Sequence, residues 1–136
     1  MSTAPDARTA LARSIGLQAF VYGYPLLEMV RTCRHQTRAD GGVPMHRPLH
    51  WAGPTQAEDR DVVTPANDLM YTTAWLNLAD GPRALQVPAA ARHPGRYFVL
   101  ALYDAYTENF ANLGPRNCSA QGEVVWLVGP NDATPV

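Results

Sequence analysis

The residues of this sequence best suited to moving protons are Asn67-Asp68 and Tyr71, which follow Pro65 at the head of an alternating apolar stretch. There Asp68 is placed to act as a general base or hydrogen-bond acceptor and Tyr71 as its acid partner, a pairing common in cofactor-free proton transfer. The same residues also start strands, because Asn and Asp side chains bond the backbone two residues on and set an Asx turn. That structural reading is the commoner one for such a pattern. A second group is Arg96, Tyr97, Asp104, Tyr106 and Asn109. On an extended strand Arg96, Phe98, Leu100, Leu102 and Asp104 share a face, so Arg96 and Asp104 stand at opposite ends of one apolar surface, one end of which could open into a pocket. Alternatively both are strand-end groups that meet solvent or a structural partner. The candidate catalytic set is Asp68, Tyr71, Arg96 and Asp104, with Asn67, Trp75, Tyr106 and Asn109 as candidates for holding a substrate.

Other chemistries lack their signatures. His46 and His50 are four apart, but Pro44 and Pro48 forbid the helix that would align them as metal ligands, and no Cys or carboxylate falls at ligand spacing. They read as exposed histidines, as do His35 and His93, and neither metal nor cofactor is expected. Cys33 and Cys118 form no Cys-x-x-Cys pair and are read as reduced. All eleven basic residues are arginine, which removes Schiff-base chemistry or a lysine base. There is no Gly-x-Ser-x-Gly elbow, phosphate-cradling glycine loop or dinucleotide fingerprint. Trp51, Trp75 and Trp126 read foremost as core or interface residues.

Composition narrows the class further. With 46% hydrophobic and 17% charged residues over 136 positions, the chain reads as one globular domain, residues 1–136. A formal net charge of −1 with no basic tract gives no electrostatic case for nucleic acid or an anionic membrane. Gln18 and Pro25 interrupt the apolar stretch that begins at Ile15, so neither a signal peptide nor a spanning helix fits, and a cytoplasmic location is expected.

Residues 3–36 must position much of this. Leu11, Ile15, Tyr22, Leu26, Met29 and Cys33 fall on one helical stripe, widened by Leu17, Phe20, Val21, Leu27 and Val30, which predicts one long, largely buried helix. Thr3 is the expected N-cap with Asp6 three residues on, and Pro25 is expected to kink or split the helix. Residues 37–58 read as a long loop around Gly41-Gly42 and prolines 44, 48 and 54. Within 59–130, period-two runs at 69–78, 83–87, 96–103, 108–113 and 123–128 predict strands, and turn signals such as Asp80-Gly81-Pro82 and Gly114-Pro115 space them like an antiparallel meander. A loose tail follows at 131–136. The fold class is α+β: a long kinked N-terminal helix packed on an antiparallel sheet, half of a sandwich-like assembly.

Three stretches together carry a resemblance: Gly16 to Pro25, Asp61 to Tyr71, and Gly95 to Leu100 through Asp104 to Thr107. In order and spacing, and with Leu127-Val128-Gly129-Pro130, they resemble the domain of unknown function 1254 over about residues 14 to 130. That family usually reads Pro-Asn-Asn-Asp-Thr where this chain has Pro65-Ala66-Asn67-Asp68-Leu69, which leaves Asn67 and Asp68 in place. The resemblance implies a second domain of the unknown-function 1214 type. A separate polypeptide of that type is the expected partner, self-association the alternative, and a small molecule the expected ligand. The uncovered strand face of Tyr97, Val99, Ala101 and Tyr103 supports this, being too apolar for water. The expected activity is that of a cofactor-independent subunit in small-molecule metabolism, a non-catalytic ligand-binding or structural subunit being the alternative.

Overall fold

Asp6 starts the one long helix among the described residues. In this computed structural model, which describes residues 6–60, 64–92 and 94–132, helix α1 spans Ala7–Thr37. The Asp6 carboxylate accepts from the Thr9 amide at 2.9 Å, and that bond holds its pKa below the ordinary carboxylate value. Thr3, the expected cap, lies outside the described residues. At the other end the Thr37 hydroxyl donates to the Cys33 carbonyl at 2.7 Å, Arg34 and His35 sit in the last turn, and Arg38 leaves in extended geometry.

The helix is not split at Pro25; it runs through that residue without interruption. Proline removes one donor, so the Val21 carbonyl loses a single partner, and the bonds on either side hold the helix together. Val21 is exposed, so water can reach this stretch. Nor is the helix buried: Leu11, Ile15, Leu17, Phe20, Tyr22 and Leu27 are all exposed, and no residue of α1 is fully buried. It meets the β-rich region mainly through its C-terminal end, where Trp75 Nε1 donates to Gln36 Oε1 at 2.8 Å, and through the Tyr22 ring 5.5 Å from that of Tyr106.

The fold class is α+β with antiparallel pairing throughout the described strands. The strands form three two-stranded ribbons in place of one meander. β1 (Leu49–His50) lies in the expected loop and pairs with β2 (Thr72–Thr73), all that forms of the long strand read over 69–78. His50 Nδ1 and Thr72 Oγ1, 2.9 Å apart, and the Trp51 amide on the Tyr71 carbonyl at 3.0 Å extend this short contact. β3 (Arg83–Val87) pairs with β6 (Glu123–Leu127), Arg83 opposite Leu127 and Val87 opposite Glu123. Between them in sequence, β4 (Leu100–Tyr103) and β5 (Asn109–Leu113) make their own hairpin, with a register shift after Leu102. A meander pairs consecutive strands; here one hairpin is nested inside the connection of another ribbon.

The interior is small. Val87 is the one fully buried hydrophobic side chain among the described residues. The chain has 10924 Å² of accessible surface, whereas a compact monomer of 14.9 kDa has about 7000 Å². The difference, roughly 4000 Å², is several times the ~800 Å² that each partner contributes to a standard interface.

Candidate functional site

The loop carrying Asp68 and Tyr71 is held from beneath. Thr55, buried, donates to the Ala66 carbonyl at 2.6 Å, and the Tyr71 hydroxyl accepts from the Ala66 amide at 2.9 Å. The Tyr71 ring meets Trp51 edge-on at 6.4 Å between centroids. Because Tyr71 Oη accepts here, its own proton stays uncommitted and available to a ligand. Asn67 and Asp68 are exposed on the same loop, and neither makes a hydrogen bond or ion pair among the described residues. No Asx turn consumes the Asp68 carboxylate, and no bond joins it to Tyr71.

The second group is arranged differently. Asp104 Oδ1 accepts from the amides of Tyr106 at 2.8 Å and Glu108 at 3.0 Å, while the Thr107 amide donates to the Asp104 carbonyl at 3.1 Å. Those bonds hold Thr107 at φ 70, a left-handed value rare for a β-branched residue, and close the β4–β5 turn. Asn109 donates to the carbonyls of Leu102 and Ala111 and fills the register shift. Asp104, Tyr106 and Asn109 thus come together to build a turn. Tyr106 is pushed above its ordinary pKa of 10.0 by its hydrogen bond to Tyr22, then by desolvation and the charges of Tyr22 and Asp104. Arg96 is exposed before β4 begins and pairs with no carboxylate among the described residues. Trp75 faces α1, its indole N–H held by Gln36.

A cluster that the amino-acid pattern does not reveal sits where residues 44–48 cross the start of β3. His46 is half-buried, not exposed as expected, and its backbone has φ 67. Its amide donates to the Trp75 carbonyl at 2.8 Å, and its Nε2 lies 3.4 Å from Arg83 Nη2 and 4.0 Å from Asp80 Oδ2. Asn77 donates to the same Asp80 oxygen at 2.9 Å. His46 Nδ1 and Arg83 Nε are buried without a hydrogen-bond partner. Arg83 can donate to His46 Nε2 only while that nitrogen is unprotonated, which makes Nδ1 the protonated one in neutral His46. The only sequence trace of this contact is that the Asp80-Gly81-Pro82 turn returns the chain at Arg83. His35 and His50 are exposed as expected, and His93 lies outside the described residues.

Both cysteines are free thiols, and no three of the described His, Cys, Asp or Glu residues are grouped to hold a metal ion. Burial pushes the Cys118 thiol above its usual 9.0, the neighbouring Glu123 carboxylate adds to this, and the Gly114 backbone offsets it in part. Iodoacetamide is therefore expected to alkylate Cys118 more slowly than a free model thiol at pH 8, with the rate rising above pH 9 and Glu123→Gln accelerating it. Residue-resolved mass spectrometry reads this; equal rates in both proteins contradict it.

The family model described as protein of unknown function (DUF1254) matches residues 45–136, more than half of the chain. The match takes in Asp68, Tyr71, the β4–β5 turn and the His46 cluster; α1 lies outside it. No match was found among curated proteins or among solved structures. Among the described residues no helix is long and apolar enough to cross a membrane.

Proposed function

Because the chain belongs to the DUF1254 family of proteins of unknown function, a membership that brings no reaction with it, we propose from its own residues that it is one component of a cofactor-independent enzyme of small-molecule metabolism. Asp68 is the base and Tyr71 the acid of this reading, on a wall that a second polypeptide surface completes; a chain resembling the unknown-function 1214 domain is the partner, with self-association the alternative. The protein works in the cytoplasm.

The observation that carries the proposal is the surface. Large hydrophobic side chains on α1, on β4 and its approach, on β5 and on β6 stay exposed, among them Phe20, Tyr97, Val99, Tyr103, Phe110 and Trp126. A monomeric soluble protein rarely exposes apolar patches beyond a few hundred Å², and the excess surface here amounts to more than one standard interface. Asp68 makes no hydrogen bond among the described residues, and Tyr71 Oη, although it accepts from the Ala66 amide, donates its proton to no described group, so a base and a proton donor are both open to a substrate.

The second reading, a non-catalytic subunit, is favoured by a different observation: Asp104 and Asn109 are committed to backbone groups of the turn. Light scattering tests the shared premise. The chain expressed alone is expected to form oligomers or aggregates, and a defined complex when co-expressed with a polypeptide of the 1214 type. A stable monomer at micromolar concentration, unchanged by the second protein, overturns it.

A further inference from the structure

Beyond the Asp68–Tyr71 pair and independently of it, we propose that the cleft between the approach to β4 and the end of β5 is a binding site for a small carboxylate carried on an apolar body. The cleft has a volume of about 260 Å³ and is lined by Tyr97, Val99, Asn112, Leu113, Arg116 and Asn117, with the Gly114 backbone at its base. Ligand pockets for drug-sized molecules run from about 300 Å³ upward, so this one suits a smaller guest. Val99 and Leu113 give it apolar walls.

Arg116 is the recognition group. It is exposed, its guanidinium carbon stands 5.2 Å from the centre of the Tyr97 ring, and its Nη2 donates to the Tyr97 hydroxyl at 2.8 Å. Ring contact and hydrogen bond fix the fork at the rim of the cleft. No carboxylate pairs with Arg116 among the described residues. Its remaining N–H groups are thus available to a bidentate acceptor, the geometry a guanidinium matches best in a carboxylate.

The floor is rigid, which preserves that geometry. Asn117 Oδ1 accepts from the Gly114 amide at 3.0 Å and its Nδ2 donates to the Asn112 carbonyl at 2.6 Å. Asn112 Nδ2 donates to Asn109 Oδ1. Gly114 is buried, and a Cβ there would lie 2.6 Å from the Phe98 carbonyl oxygen, so the two walls close tightly behind the cleft. With both ends of the Asn117 amide engaged, the strong unmet donor capacity at the rim belongs to Arg116, and this sets the charge of the guest.

Benzoate and its neutral analogue benzamide are the probes, titrated against the full chain in the assembly in which it purifies and followed by calorimetry and backbone amide shifts. Benzoate is expected to bind saturably, with shifts at Leu113, Gly114 and Asn117, and about tenfold more tightly than benzamide. Arg116→Gln should reduce benzoate affinity about tenfold while Arg13→Gln, on the exposed helix, leaves it unchanged. Should Arg116→Gln fail to fold, the benzoate and benzamide comparison and the loss of benzoate affinity with added salt decide on the unaltered chain. Equal affinity for the two probes, absence of saturable binding, or an unchanged Arg116→Gln protein overturns the proposal. Since the readout is binding, its failure leaves the Asp68–Tyr71 reading standing, and loss of that reading leaves the cleft intact.

Discussion

Asp68→Asn is expected to leave the fold unchanged and to lower turnover by about 10²–10⁴-fold, the range set by loss of a positioned general base. The replacement is nearly isosteric, and Asp68 is exposed with no bond among the described residues, so nothing in the fold depends on its charge. Tyr71→Phe is expected to lose activity on the same scale, with a second effect that separates it. The Ala66 amide loses its acceptor, which lowers stability by about 0.5–1.5 kcal/mol. A strain lacking the gene is complemented with each variant, and the small molecule that accumulates in the deletion is quantified, so the substrate need not be identified first. If both variants restore the unaltered profile, the catalytic reading is wrong and the chain is a structural or binding subunit.

Gly122→Ala is expected to destabilise the protein by about 2–5 kcal/mol, the sum of a left-handed backbone penalty and overpacking. Gly122 has φ 81, and a Cβ there would meet the Val87 carbonyl oxygen at 2.8 Å and the Ala89 amide nitrogen at 3.1 Å. Both neighbours are backbone, so neither can swing aside as a side chain would. The site also lies against Val87, the one fully buried hydrophobic side chain described, so a shift to relieve the clash acts on the core itself. Chemical denaturation measures this, and a midpoint equal to that of the unaltered protein contradicts it. Gly53→Ala is the control, since no atom lies within 4 Å of its added Cβ and its backbone is not left-handed.

Local pattern foretold elements better than partners. The alternation at 83–87, 108–113 and 123–128 appears almost unchanged as β3, β5 and β6, because each run is short and bounded by strong turn residues. The run at 69–78 shrinks to Thr72–Thr73, since only His50 and Leu49 stand opposite to pair with it. Pairing order was not legible: nothing in the spacing of β3 says that it joins β6 across an intervening hairpin. Periodicity also records that Leu11, Phe20 and Leu27 are apolar without saying what covers them, which is why the expected buried helix is exposed. For Asp104 a strand-end group meeting solvent or a structural partner was the bland reading, and for Asp68 an Asx turn was; in the structure Asp104 binds the amides that close the β4–β5 turn, while Asp68 forms no such turn. His46 could not be recognised, because its proximity to Arg83 exists only once residues 44–48 have crossed β3.

The nested ribbons impose an order of assembly. β4 and β5 are joined by residues 104–108 alone, so their hairpin can close within about 1–10 μs. β3 and β6 must instead bring together segments separated by residues 88–122, a closure whose entropy is lost before the ladder returns any energy. Once the inner hairpin has formed, it shortens the effective loop and lowers that barrier. The outer ladder is thus expected to form last, and before it closes the strands of Val87 and Val125 are unpaired edges open to misassembly. On the two-chain reading proposed above, a partner present while those edges are unpaired would cover them, and the timing of its synthesis would bear on the yield of assembly as much as its affinity does.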